Sequence, residues 1–184
     1  MMRRPRLTGA LIAAFALLLC GAAATGCGGS ATKNINADGT PGGTAQEYFE
    51  RLAELNDQAA QGLETVNNDL ATALPTDRGL AALRASITQY AAVYQAFRDG
   101  MQQISPPQEL QVAHQEAIAA LTAFIDYSEE AAAQAEAAQD IIDIIDIIEN
   151  EETQTINDRL TAACTALQQA AASEGIDLEL ACGE

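Results

Sequence analysis

From residue 44 onward, apolar positions recur at steps of three and four between acids and amides, a spacing that keeps returning to one face of an α-helix. Leu52, Leu55, Ala59, Leu63, Val66, Leu70 and Leu74 form a first stripe, enough for a helix of about eight turns. Thr44 and Glu47 stand three apart ahead of it, where hydroxyl and carboxylate close a capping box, and Pro75 stops it. A second stripe is Leu80, Leu83, Ile87, Tyr90, Tyr94, Phe97, Met101 and Ile104. Its steps of three and four alternate without a break, the ~3.5-residue period of helices packed nearly parallel. Asp77 is its expected cap. Ser105, Pro106, Pro107 and Gln108 end it and predict the next start. Here Ser105 is the expected cap, Pro106 sits where a missing N–H costs nothing, and Gln108 closes a second capping box.

The third stripe runs Leu110, His114, Ala117, Leu121, Phe124, Ser128, Ala131 and Ala135, widened by Ile118 and Ile125, and continues into an Ile-Ile-Asp repeat from Asp140 to Ile148. Carried through as one helix it would be ~65 Å long at 1.5 Å per residue, longer than its neighbours. It must therefore overhang, kink or break near Gln139 and Asp140, with residues 150–155 as its last turn. A fourth helix carries Ile156, Leu160, Ala163, Leu167 and Ala170, and Gly175 followed by Ile176 predicts a left-handed cap. Beyond it, apolar and acidic residues alternate from 176 to 180, a tail expected to lie extended along the helices. Short connections favour antiparallel neighbours, so the expected fold is all-α, an up-and-down four-helix bundle over residues 44–184.

The first 43 residues follow a different pattern. Arg3, Arg4 and Arg6 make a basic start, and an uncharged, largely apolar run follows, shorter than the ~20 residues of a membrane-spanning helix. It ends in Ala24-Thr25-Gly26-Cys27, which resembles the lipobox of bacterial lipoproteins. Cys20 is a poorer match, because Leu17, Leu18 and Leu19 put bulk where the family has small residues. The resemblance implies cleavage before Cys27, a diacylglyceryl group on its thiol, and a protein anchored to the outer face of the cell membrane. Residues 1–26 are then the signal peptide. Residues 27–43 are the lipidated cysteine and a Gly/Ser/Thr/Asn-rich linker whose sixteen residues after Cys27 span ~22 Å root-mean-square. More loosely, the stretches from Pro106 to His114 and from Gly175 to Gly183 are similar to segments of uncharacterised helical lipoproteins, a resemblance that implies no functional residues.

Composition agrees with helix: alanine is abundant, there is no Trp, and Phe and Tyr number four each. Net charge is −17; three of the nine basic side chains and none of the 26 acids precede Cys27, leaving six bases against 26 acids, or −20, beyond it. Such a chain has no footprint for nucleic acid, and anionic headgroups repel it. The charge otherwise serves solubility.

Candidate chemistry is sparse. With Cys20 in the signal and Cys27 acylated, Cys164 and Cys182 remain as an even pair outside the cytoplasm. Cys164 lies ~15 Å before the helix end and the tail spans ~25 Å, so the two can meet in a disulfide. His114 is the sole histidine and lacks the Glu-x-x-His partner of di-iron bundles, so a hydrogen-bonded core residue is expected rather than a metal ligand. Tyr90, Tyr94 and Phe97, at heptad spacing, read as core. The acids Asp140, Asp143, Asp146, Glu149, Glu151 and Glu152 lack the glycine turn of a calcium loop and read as a solvated stripe. No phosphate loop, nucleophile elbow or zinc-protease helix is present, so neither enzyme activity nor a cofactor is expected.

The expected role is a non-enzymatic helical module that binds a protein or envelope component. The nominated docking face is Ile144 and Ile147 with Asp143 and Asp146, because six isoleucines point in nearly every direction around one helix and cannot all be buried. The alternative is a carrier or sensor of a cation or a small apolar ligand held among the helices.

Overall fold

The computed structural model describes residues 43–178 and Leu180. The signal, Cys27, most of the linker, Glu179 and Cys182 lie outside the described residues. Within them the chain is all-α: α1 (Ala45–Ala73), α2 (Gly79–Gln102), a 3-10 turn (Gln108–Leu110) running into α3 (Gln111–Ala135), α4 (Ile141–Ile148) and α5 (Glu151–Ser173). Outside the Ile-Ile-Asp repeat, every stripe position named above from Leu52 to Ala170 is buried or half-buried.

Local chemistry sets the ends of these helices. The Thr44 hydroxyl accepts the Glu47 N–H at 3.2 Å and Glu47 Oε2 accepts the Thr44 N–H at 2.9 Å, the expected capping box. At the foot of α5, Gly175 takes φ +73°, with Gly175 N–H donating to Ala172 O and Ile176 N–H to Ala171 O, the expected left-handed cap. Two expected caps are corrected. Arg78, not Asp77, occupies the cap position of α2, and the Thr76 hydroxyl takes the Arg78 N–H. Pro107 rather than Ser105 precedes the 3-10 turn, and no side-chain capping bond forms there. Two prolines hold the backbone extended through this junction, so the chain re-enters helix by a tight turn.

The third stripe breaks. Asp140 takes extended backbone, and its carboxylate accepts the N–H groups of Ile142 and Asp143. Asp143 reaches back to the N–H groups of Gln139 and Asp140, so two acids restart the helix as α4. From α2, Arg84 donates to the carbonyls of Ala135 and Ala138, placing a guanidinium at the negative end of α3. Residues 150–155 are not a last turn: Asn150 caps α5 by accepting the Thr153 N–H at 2.9 Å.

Consecutive long helices pack antiparallel. A Cβ on Gly100 would lie 2.4 Å from Leu55, and one on Gly62 would lie 2.9 Å from Val93, so each glycine seats a branched side chain of the facing helix between α1 and α2. Tyr94 and Phe124 meet edge to face at 4.5 Å between α2 and α3, with Arg84 and Ala135 further along the same seam. Tyr127 meets Thr153 between α3 and α5. The apolar residues fall into two clusters. The larger joins α1, α2, α3 and α5; the smaller is Leu83, Ile87, Ala131, Ala135 and Ala138 closed over by Ile144 and Ile148 of α4. In the series α1–α2–α3–α5 each neighbour packs on the next, but α1 and α5, at its two ends, do not pack closely on each other.

Candidate functional site

The four residues of the nominated docking face are buried to very different extents. Ile144 is 0% exposed, and Ile147 is half-buried against the smaller cluster. Asp143 is committed to capping; only Asp146 stands free in solvent. One isoleucine of the repeat, Ile142, does project outward at 54% exposure. The other large exposed apolar side chain among the described residues is Val112, at the far end of α3, so the two make no patch.

His114 is buried and shares a 3.1 Å hydrogen bond through Nδ1 with the Tyr48 hydroxyl. Burial pushes its imidazole down and the Tyr48 phenol up, so both stay neutral, a paired core contact. Among the described residues no three His, Cys, Asp or Glu side chains converge as metal ligands, and no helix is long and apolar enough to cross a membrane. A hollow of about 340 Å³ lies between α1 and the end of α2, where Arg51 pairs with Glu54 at 2.9 Å in solvent.

The interior holds two chambers stacked along the helices, the lower walled by α1, α2, α3 and α5 and the upper by α2, α3, α4 and α5. The lower holds about 70 Å³ and is walled by Ala59, Met101, Leu121, Leu160, Ala163 and Leu167, among others. Leu180 of the tail forms its outer wall and is itself buried, with the Gln168 amide donating to its carbonyl at 2.6 Å. Cys164 lines the same chamber and is disulfide-bonded; every other cysteine of the chain lies outside the described residues. The upper chamber holds about 290 Å³. Its floor is Ile87, Phe124, Ala131 and Ile148, and its rim is Tyr127, Ser128, Asn150, Thr153, Gln154 and Asn157.

The upper rim is knotted. The Tyr127 hydroxyl donates to Ile147 O at 2.7 Å, accepts from the Asn150 amide at 3.1 Å and meets the Thr153 hydroxyl at 2.5 Å, joining α3, α4 and α5. Tyr94 lines both chambers. It is 6% exposed, yet its hydroxyl makes no hydrogen bond among the described residues, whereas the neighbouring Tyr90 hydroxyl donates to Asn67. Among the described residues every fully buried polar side-chain atom has a partner, so the Tyr94 hydroxyl is not fully enclosed, and the residue that carries it lines both chambers. Burial and the nearby Tyr90 push this phenol up, so it stays protonated and able to donate.

Sequence reading placed Tyr94, Leu121, Leu160, Ala163 and Leu167 in the core. It missed that they surround a void, and it missed the half-buried Asn157 beside the upper chamber. No protein-family model, curated protein or solved structure matches the chain.

Proposed function

We propose that this protein is a lipid-anchored, extracytoplasmic binding module that holds a small molecule between its helices. In this reading Cys27 carries the anchor, residues 28–43 are the tether, and residues 44–184 form an antiparallel up-and-down four-helix bundle of α1, α2, α3 and α5. The short α4 caps one end. The pairwise antiparallel packing supports that arrangement, and the looser approach of α1 and α5 leaves room for the lower chamber between them. The observation that carries the binding role is the two-chamber groove: an apolar lower part, a polar upper rim, and between them Tyr94, whose hydroxyl has no hydrogen bond among the described residues. Small-molecule sites combine these features in volumes of ~300–1,000 Å³, and the upper chamber alone approaches that range. Of the two roles expected from the sequence, the carrier fits the molecule better than a protein-docking face, because Ile144 of the nominated face is fully buried.

The binding role is tested on protein recovered from its host's envelope, with co-purifying small molecules identified by native mass spectrometry. One bound species per chain is expected. Ala163→Leu, which fills the lower chamber from α5, and Ala59→Leu, which fills it from α1, should both lose that species while keeping a cooperative melt. Retention of the species in both folded variants, or no bound species in the parent, refutes the role. The anchor is tested separately: Cys27→Ala should move the protein from the membrane fraction to the soluble one, and unchanged pelleting with membranes refutes it.

A further inference from the structure

The ligand's chemical class is legible in the walls. We propose that the groove takes a small uncharged amphiphile, its short hydrocarbon end in the lower chamber and a hydroxyl-bearing head in the upper one, with the Tyr94 hydroxyl bonded to it at the junction. This rests on the groove being a binding site at all.

Three observations point the same way. The lower chamber is apolar almost throughout, with Asn56 at its edge, so it rewards hydrocarbon and nothing that carries charge. The upper rim is built of amides and hydroxyls, which both donate and accept, the inventory that recognises alcohols and amides. Gln154 and Asn157 on that rim have side-chain amides with no hydrogen bond among the described residues, so they are available to a head group. The third observation is charge. Neither chamber is lined by lysine or arginine, and the only lining side chain charged at neutral pH is Glu149. A carboxylate or phosphate head would sit beside that acid without a counter-ion, in a chain already strongly negative. The unpaired Tyr94 hydroxyl then marks where the hydrocarbon ends and the head begins. It is nine-tenths buried, between an apolar chamber below and one with a polar rim above.

Calorimetric titration of the full chain with three six-carbon probes tests this: 1-monohexanoylglycerol (neutral), hexanoate (anionic) and hexyltrimethylammonium (cationic). The glycerol ester should bind at one site per chain. Hexanoate and the ammonium should each bind at least roughly tenfold more weakly than the ester, since an unscreened like charge or an unmet head group each forfeits about that factor. Tyr94→Phe should weaken the ester about 2- to 10-fold, the worth of one neutral hydrogen bond. Tyr90→Phe removes a hydroxyl held by Asn67 outside both chambers and should leave the affinity unchanged. Melting curves confirm that both variants are folded. Equal or tighter binding of a charged probe, or wild-type affinity in Tyr94→Phe, overturns the assignment. If a co-purified molecule is lost in Ala163→Leu but the ester does not bind, the binding role stands and the ligand class falls. If nothing co-purifies and no probe binds, the binding role itself falls.

Discussion

Ile144→Ala is expected to destabilise the protein by about 2–5 kcal/mol, the cost of truncating a fully buried aliphatic side chain that its surroundings cannot refill. Ile144 is 0% exposed and sits where α4 closes over Leu83, Ile87, Ala131 and Ala135. Those neighbours belong to α2 and α3, so the cavity would open beneath three helices at once and have little means to collapse. Ile142, two residues earlier and 54% exposed, supplies the control: Ile142→Ala should change stability by no more than about 0.5 kcal/mol. Thermal or urea melts of the two variants check this. A small effect at Ile144 matching that at Ile142 would show that α4 is a detachable segment and not part of the core.

The second large effect concerns the tail. Pairing of Cys164 with Cys182 is proposed here, supported by the disulfide-bonded state of Cys164 and by the seating of Leu180, two residues before Cys182, in the chamber that Cys164 lines. On the chain-entropy account a bridge closing a loop of this length stabilises by about 3 kcal/mol. Cys182→Ser should therefore lower stability by that amount, and reductant should destabilise the parent without further affecting the variant. Peptide mapping without reduction should find residues 164 and 182 in one linked species. A linked species joining Cys164 to Cys27 instead would overturn both the pairing and the lipid anchor, since an acylated thiol cannot form a bridge.

Much of this fold was legible because its stripes are clean. Four runs of apolar residues at steps of three and four became the four long helices, and the caps at Thr44 and Gly175 followed from residue types whose local chemistry leaves little choice. The break after Ala135 was harder to place for a specific reason. The Ile-Ile-Asp repeat continues the helical period, so the stripe does not announce an interruption, and the reciprocal cap uses Asp143 where such boxes usually carry glutamate or glutamine. The other agent of that break, Arg84, lies 51 residues away in sequence from the carbonyl it holds. Local patterning contains nothing of such a contact.

The groove was illegible for a related reason. A stripe of Leu160, Ala163 and Leu167 looks the same whether it meets a fourth helix or faces a void, because periodicity reports which side of a helix turns inward and not what stands there. The signal that was available is in α5. Asn150, Thr153 and Asn157 put three half-buried polar residues at its cap and in its first two turns, a polar stretch that a closed core would have to satisfy.

The two ends of the groove are fastened by unlike bonds. Around the upper chamber, Tyr127, Asn150 and Thr153 tie three helices by hydrogen bonds, which break and re-form thermally above the apolar seat of Ile144 and Ile148. Around the lower chamber, the tail is held by a side-chain amide and, in the proposed pairing, a covalent bridge two residues beyond Leu180. Breathing of the molecule therefore favours one mouth. A ligand would arrive and leave past Tyr127, hydrocarbon end first on the way in, with the lower chamber acting as a blind pocket. Exchange would then be paced by how often a knot of three side chains loosens, and the redox state of the surroundings would decide only whether the bottom of the well is sealed.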